Sequence, residues 1–384
     1  MSSSFSRPDL PQIVVLGTGG TIAGVAKGDP SLPGYTAGVL GVDALLQSVP
    51  ALGRLARIHT EQVANLDSKD MSFAVWTQLA ERAAFWLAQP QIQACVITHG
   101  TDTLEETAYF LHLVLSRKRR AAPSFLDPLG GPDANAAGLG ALSRKRRAAP
   151  SFLDPLGGRV GEPTLGALDT DKPVILTAAM RPATALNADG PQNLLDAVRV
   201  AVHPQARGLG VVCVLHGMVH AARDVTKANT HKVEAFSSGE RGPLGEVDGE
   251  DLRLWRQPVP EVGAPFAVPA ADAWPRVELL THVAGSDGAV VRCLVSSEAV
   301  QPRVAGLVVA GTGGGTMHRE LEAALHWAQR QGIRVRVASR VGPVRGGADD
   351  GLNAAKLRVR LLLELAASKT AQGEGKAAPT EAAE

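Results

Sequence analysis

The sequence contains no apolar run of the roughly eighteen residues that a membrane-spanning helix needs. It has almost no net charge, +1 over 384 residues, so the chain as a whole lacks the electrostatic footprint of a polyanion binder. It has three cysteines: Cys95, Cys213 and Cys293. Each lies in an apolar run (QACVITHG, VVCVLHG, VVRCLVSS) that reads as a strand or a buried helix. So small and odd a set argues against a disulfide framework and for a reducing, cytoplasmic compartment. No Cys/His spacing suggests a metal site, and MSSSFSRPDLPQ lacks the apolar core of a signal peptide. The remaining composition, 45% hydrophobic and 20% charged, is ordinary for a soluble globular protein long enough to form two domains.

Short apolar runs alternate with helical periodicity. Strands are predicted at 13–16, 94–97, 174–176 and 209–215, and helices at 71–88, 104–115 and 191–202. This order predicts a larger N-terminal α/β domain over 1–256, a doubly wound parallel sheet with helices on both faces. The Pro-rich stretch 257–275 (QPVPEVGAPFAVPAADAWP) reads as a linker. A smaller C-terminal α/β domain is expected over 276–367, with strands at 277–282, 306–309 and 334–338 and helices at 318–330 and 352–367. The tail, 368–384, is poor in apolar residues and reads as disordered.

In open parallel sheets ligands bind beyond the carboxyl ends of the strands, so the βα turns are where chemistry is sought. The first is VVLGTGGTIAG. It is not a dinucleotide loop, because Ile22 stands where a third glycine is required, and no Gly-Lys-Ser/Thr follows. A threonine, Thr21, is left displayed among glycines, either as a nucleophile or as a residue that caps the turn. The second is CVITHGTDTLEETAYFL, where Thr101 and Asp102 follow the strand. The carboxylate can hold an ammonium group; both residues are also common helix caps. Thr103 can cap the next helix, and Glu105 and Glu106 suit the helix dipole. The third is RDVTKANT. Lys227 is either a solvated charge or, if it reaches Thr101, the basic partner that a hydroxyl nucleophile needs.

TGGTIAG, ITHGTDTLEETAYFL, AAMRPATALNADGPQNL and RDVTKANT, in this order, resemble the bacterial-type L-asparaginases, including the glutaminase-asparaginases. The resemblance runs from about Ile13 to Ala367 and is interrupted only by a repeat region. It implies hydrolysis of the side-chain amide of asparagine to aspartate and ammonia. It implies Thr21 as primary nucleophile, Thr101 as second catalytic threonine with Lys227 as its partner, and Asp102 as the group binding the substrate's α-ammonium. Tyr35 in GDPSLPGYTAG matches the tyrosine of a mobile lid, and Ser68 in NLDSKDM matches the serine that holds the α-carboxylate. No metal or organic cofactor is implied, and the assembly implied is a homotetramer whose sites a neighbouring subunit completes. Three departures stand out. Lys69 replaces a customary glutamine; Ala284 stands near the place of a neighbour-subunit asparagine, with Ser286 and Asp287 retained; and the stretch after SRVGPV is shortened.

The repeat is LSRKRRAAPSFLDPLGG, seventeen residues occurring without change at 115–131 and 142–158. The 54 residues 116–169 carry nine Lys/Arg and five Asp/Glu. A basic cluster can signal nucleic acid, but charge runs are usually solvated faces. This one joins a helix to the next strand, at the amino ends of the strands, away from the βα turns. It therefore reads as a duplicated loop insertion rather than the functional site, and neither a nucleic acid nor a membrane is expected as a partner.

Overall fold

The apolar run near the start of the chain has no polar face because both of its faces are covered. The computed structural model describes residues 10–26, 34–115, 171–261, 265–342 and 351–374; the repeat region lies outside them. Strand β1 (Gln12–Gly19) sits between β2 (Arg57–Leu66) and β3 (Ile92–Thr98), parallel to both. Strands β4 (Val174–Thr177) and β5 (Val211–Leu215) continue the parallel part, giving the spatial order β2-β1-β3-β4-β5. Successive residues of a strand point to opposite faces. Accordingly Val14 and Leu16 join the core under helices α2 (Phe73–Ala88) and α3 (Leu104–Leu115). Ile13 and Val15 join the core under α1 (Val42–Gln47) and α4 (Gly190–Val202).

The sheet is not parallel throughout. Strand β6 (Met218–Ala221) runs back antiparallel to β5, and the hairpin of β7 (Gly245–Asp248) and β8 (Asp251–Leu254) extends that edge. The reason is local: only His216 and Gly217 join β5 to β6, both with positive φ. Two such residues make a hairpin turn, whereas a parallel crossover needs a dozen or so.

The C-terminal sheet is parallel, in the order β9 (Arg276–Thr281), β10 (Val304–Gly311), β11 (Arg334–Ser339). Helices α5 (Ala289–Ser296) and α6 (Arg319–Arg330) pack with one face of it. Cys293, on α5, is exposed, not buried as its apolar run suggests; Cys95 and Cys213 are buried. Helix α7 (Ala354–Glu374) extends seven residues past position 367, where the helical pattern is predicted to stop. It packs against both the C-terminal sheet and α3, so one apolar core contains Leu111 of α3, Leu361 of α7 and Val308 of β10. The Pro-rich stretch between the domains is strapped to this core rather than hanging free. The Phe266 N–H donates to the Leu113 carbonyl at 3.0 Å, and Trp274 stacks on Phe73 with ring centroids 4.6 Å apart. The Glu261 carboxylate accepts from Arg223 at 2.6 Å and from Arg360 at 3.1 Å, joining three distant segments.

Three histidines, His99, His112 and His220, are buried, and burial pulls each imidazole down to about 4. In the unfolded chain a histidine titrates near 6.5. Above that pH the ring is neutral in both states and has no effect. Between about 6.5 and 4 only the unfolded state takes the proton, so stability falls as pH falls, by about 1.4 kcal/mol per pH unit for each ring. Thermal melts from pH 7 to pH 4 are expected to show a steep loss of Tm in that window. A flat Tm there contradicts the burial of these rings.

Candidate active site

Going out from β1 the chain passes to α1 on one face of the sheet; going out from β3 it passes to α3 on the other. The crevice between β1 and β3 is therefore the topological switch point, where an open α/β sheet binds its ligand. Thr18 ties the two strand ends together, its hydroxyl donating to the Thr98 carbonyl at 2.9 Å.

Three turns meet there, following the ends of β1, β2 and β3. After β1 the chain turns through Gly19 (φ 97°) and Gly20 (φ 82°) into a short 3-10 helix, Thr21–Ala23. A β-carbon at Gly20 would overlap the backbone of Gly100, and one at Gly100 would overlap the side chain of Ser68. Gly20 is thus required by contact between backbones as well as by dihedral angle, and Gly100 by the Ser68 side chain set against it. Ser68 follows β2 and is 2% exposed; its Oγ accepts from the backbone N–H of Asp102 at 3.2 Å. The Thr103 hydroxyl is not a helix cap. It donates to the Ser68 carbonyl at 2.8 Å, locking the β2 and β3 turns together.

Thr21 is buried, and its hydroxyl lies 2.7 Å from the hydroxyl of Tyr35. Tyr35 comes from a two-residue ladder, Tyr35–Thr36 against Val25–Ala26; residues 27–33 of the segment between them lie outside the described residues. Thr101 is buried too, and its hydroxyl accepts from the Lys227 ammonium at 2.9 Å. Lys227 also pairs with the Asp102 carboxylate at 2.6 Å, with side-chain exposures of 20% and 52%. The lysine is therefore not a solvated surface charge. The structure brings together all six residues singled out from the sequence, as a Thr21–Tyr35 pair and a Thr101–Lys227–Asp102–Ser68 chain. Lys69 instead pairs with Asp67 at 2.7 Å. In the C-terminal domain Ser286 and Asp287 are engaged within their own turn, accepting from the N–H groups of Val283 and Ala289. The segment 343–350 lies outside the described residues.

Three further residues, none of them assigned to the site from the sequence, reach it. Glu105 does more than suit a helix dipole: one oxygen accepts from the Lys227 backbone N–H at 3.1 Å and the other from Asn353 at 3.3 Å. Asn353 precedes α7 and caps it, accepting from the Lys356 N–H at 3.0 Å. Lys356 is 2% exposed, and its ammonium donates to the carbonyls of Arg223 and Val225. Burial pulls its pKa down to about 8, opposed chiefly by the Glu105 carboxylate. The signal was a lysine on an apolar helix face, four residues after Leu352 and three before Val359. Among the described residues no group of three His, Cys, Asp or Glu is placed to hold a metal ion, and no helix is long and apolar enough to cross a membrane.

Fold and site together define a two-domain α/β protein that gathers two buried threonines, a tyrosine and a lysine–carboxylate pair at a switch point. Comparison with known proteins places the chain in a family. The family model described as Asparaginase, N-terminal, matches residues 12–121 and 165–260; the unmatched interval falls within the repeat region. L-asparaginase 2 of Bacillus subtilis is 31% identical over 96% of this chain and 86% of its own. The glutaminase-asparaginase of Pseudomonas fluorescens is 30% identical over 88% of this chain and 77% of its own. The crystal structure of a probable cytoplasmic L-asparaginase from Campylobacter jejuni superposes with a TM-score of 0.73 at 32% identity, covering 94% of this chain and 98% of that one. The chain belongs to the asparaginase family and is an amidohydrolase.

Proposed function

We propose that the protein is an L-asparaginase, hydrolysing the side-chain amide of L-asparagine to L-aspartate and ammonia with Thr21 as nucleophile. The observation that carries this reading is the convergence of the Thr21–Tyr35 and Thr101–Lys227 pairs on one crevice. A threonine hydroxyl is a poor nucleophile until a neighbouring group takes its proton, and Tyr35 is the group in contact with Thr21. In the reaction proposed, Thr21 Oγ1 bonds to the amide carbon, its proton is relayed through the Tyr35 hydroxyl to the amide nitrogen, the carbon–nitrogen bond breaks, and ammonia leaves. Water, oriented by the Thr101 hydroxyl that the Lys227 ammonium holds, then adds to the acyl carbon; the bond to Thr21 Oγ1 breaks, the water's proton returns to that oxygen, and aspartate leaves. Backbone N–H groups of the two glycine turns are suited to stabilising the oxyanion. Asp102, half exposed beside Lys227, is the group for the α-ammonium, and Ser68 the group for the α-carboxylate.

Ammonia release from asparagine tests the reading directly, and none from a folded preparation would overturn it. Thr101→Val keeps shape and removes the hydroxyl that Lys227 contacts; kcat is expected to fall about 10²–10³-fold with little change in Tm. The glutaminase-asparaginase among the relatives supports a second reading with broader amide specificity. The same assay on glutamine separates them: comparable kcat/KM on both amides favours it. A homotetramer belongs to the proposal, supported by the exposed apolar side chains Leu279, Val283, Val290 and Val337 on the C-terminal domain. So does a reducing, cytoplasmic location, with free cysteines at 95, 213 and 293. The proposal needs no cofactor, and it treats 116–169 as an insertion apart from the catalytic turns.

A further inference from the structure

We propose that Lys356 is a positioning residue for Lys227, holding the segment 223–227 so that the Lys227 ammonium meets Thr101. The inference rests on the functional reading above. After β6 the chain leaves the main sheet in a turn, with the N–H groups of Asp224 and Val225 both donating to the Ala221 carbonyl. From there to Lys227 it makes only a two-residue ladder, Thr226–Lys227 against Phe236–Ser237. Two strand residues do not fix the place of a flexible four-carbon side chain. What fixes it comes from two helices more than a hundred positions away in the chain, α3 before it and α7 after it. The Lys356 ammonium takes the carbonyls of Arg223 and Val225, Asn353 donates to the Thr226 hydroxyl at 3.3 Å, and Glu105 holds the Lys227 N–H.

The location of Lys356 is physically expensive, which is why a role is needed. A buried ammonium loses its hydration, and a cation in the first turn of a helix opposes the helix dipole. An apolar residue of similar length would fill the same space without either penalty. The ammonium contributes what such a residue cannot: two donors that hold backbone carbonyls within four residues of Lys227. Asn353 completes the arrangement by capping α7 and bridging Glu105 to Thr226.

The test is a double-mutant cycle on the full-length protein, with kcat and KM for asparagine measured for each variant. Lys356→Met is expected to lower kcat about 100-fold, the order of effect of an ångström-scale misplacement, with KM changed less than about threefold. In a Lys227→Met background, Lys356→Met is expected to cost nothing further, because its effect passes through Lys227. Full additivity of the two losses overturns the inference and makes Lys356 a general stabiliser. Undiminished turnover of Lys227→Met alone overturns the functional reading of that lysine as well, so the two failures are told apart. If Lys356→Met does not fold, Asn353→Ser carries the same test, because serine keeps the helix cap and removes the amide that reaches Glu105 and Thr226. It is expected to lower kcat by roughly three- to tenfold, again only when Lys227 is present; unchanged kcat, or loss persisting without Lys227, counts against the inference.

Discussion

Thr21→Ala is expected to lower kcat for ammonia release by about 10⁴-fold or more while leaving the melting temperature within a degree or two. Both halves follow from geometry. The Thr21 hydroxyl has one side-chain partner among the described contacts, the Tyr35 hydroxyl at 2.7 Å. Tyr35 is 37% exposed, so water can replace the lost partner at little cost in stability. The reaction has no comparable substitute. Nucleophile replacements leave only the catalysis supplied by binding and oxyanion stabilisation. Circular dichroism and kcat on the same preparation check both halves. Turnover near wild type in the folded variant would move the nucleophile's role away from Thr21. Tyr35→Phe is the informative companion, because it removes the contacting hydroxyl and leaves the ring in place.

Gly20→Ala is expected to have the opposite signature, losing stability and activity together. Gly20 has φ 82° and ψ −172°, a region that glycine occupies almost alone. That conformation costs an alanine about 1–3 kcal/mol. The added methyl would also overlap the Gly100 backbone, and neither side can yield cheaply. Gly20 is held by bonds of its own: its N–H donates to the Leu66 carbonyl at 2.8 Å, and its carbonyl accepts from Gly38 at 3.1 Å. Overpacking of this kind adds roughly 1–3 kcal/mol, so a total of about 2–6 kcal/mol is expected. Relief by spreading the β1 and β3 turns would carry Thr21 away from Thr101, and misplacement of about 1 Å can cost 10²-fold in rate. A denaturant melt with parallel kinetics decides it. Unchanged stability would mean that the two turns are not in backbone contact.

The contrast between these variants reflects how the fold was written in the sequence. Runs such as IVVL and VVCVL were readable because strands buried on both faces are apolar throughout. RIHTEQVANL, the edge strand β2, was not readable. It faces one neighbour only and keeps Arg57, His59, Glu61 and Gln62 along its length. The antiparallel edge was missed for a different reason: the two-residue His216–Gly217 joint is a turn signal hidden inside one continuous apolar stretch.

The turns of the proposed site were readable because the demands on them are local. A turn that brings one backbone against another requires glycine at the point of contact, and the hydroxyls stand beside those glycines. The sequence alone thus determined which turns meet at the switch point and which side chains they display there, and that a larger α/β domain precedes a smaller one. Tertiary structure alone decided which residues aim them. Glu105, Asn353 and Lys356 are separated by up to 251 positions, and each type has an ordinary reading where it stands: first-turn acid, helix cap, helix lysine. Only the packing of α7 against α3 brings them to the segment that carries Lys227. The physical reason is range. Steric demands on a turn act within a few residues, whereas the place of a long, flexible ammonium is set by whatever the fold packs beside it.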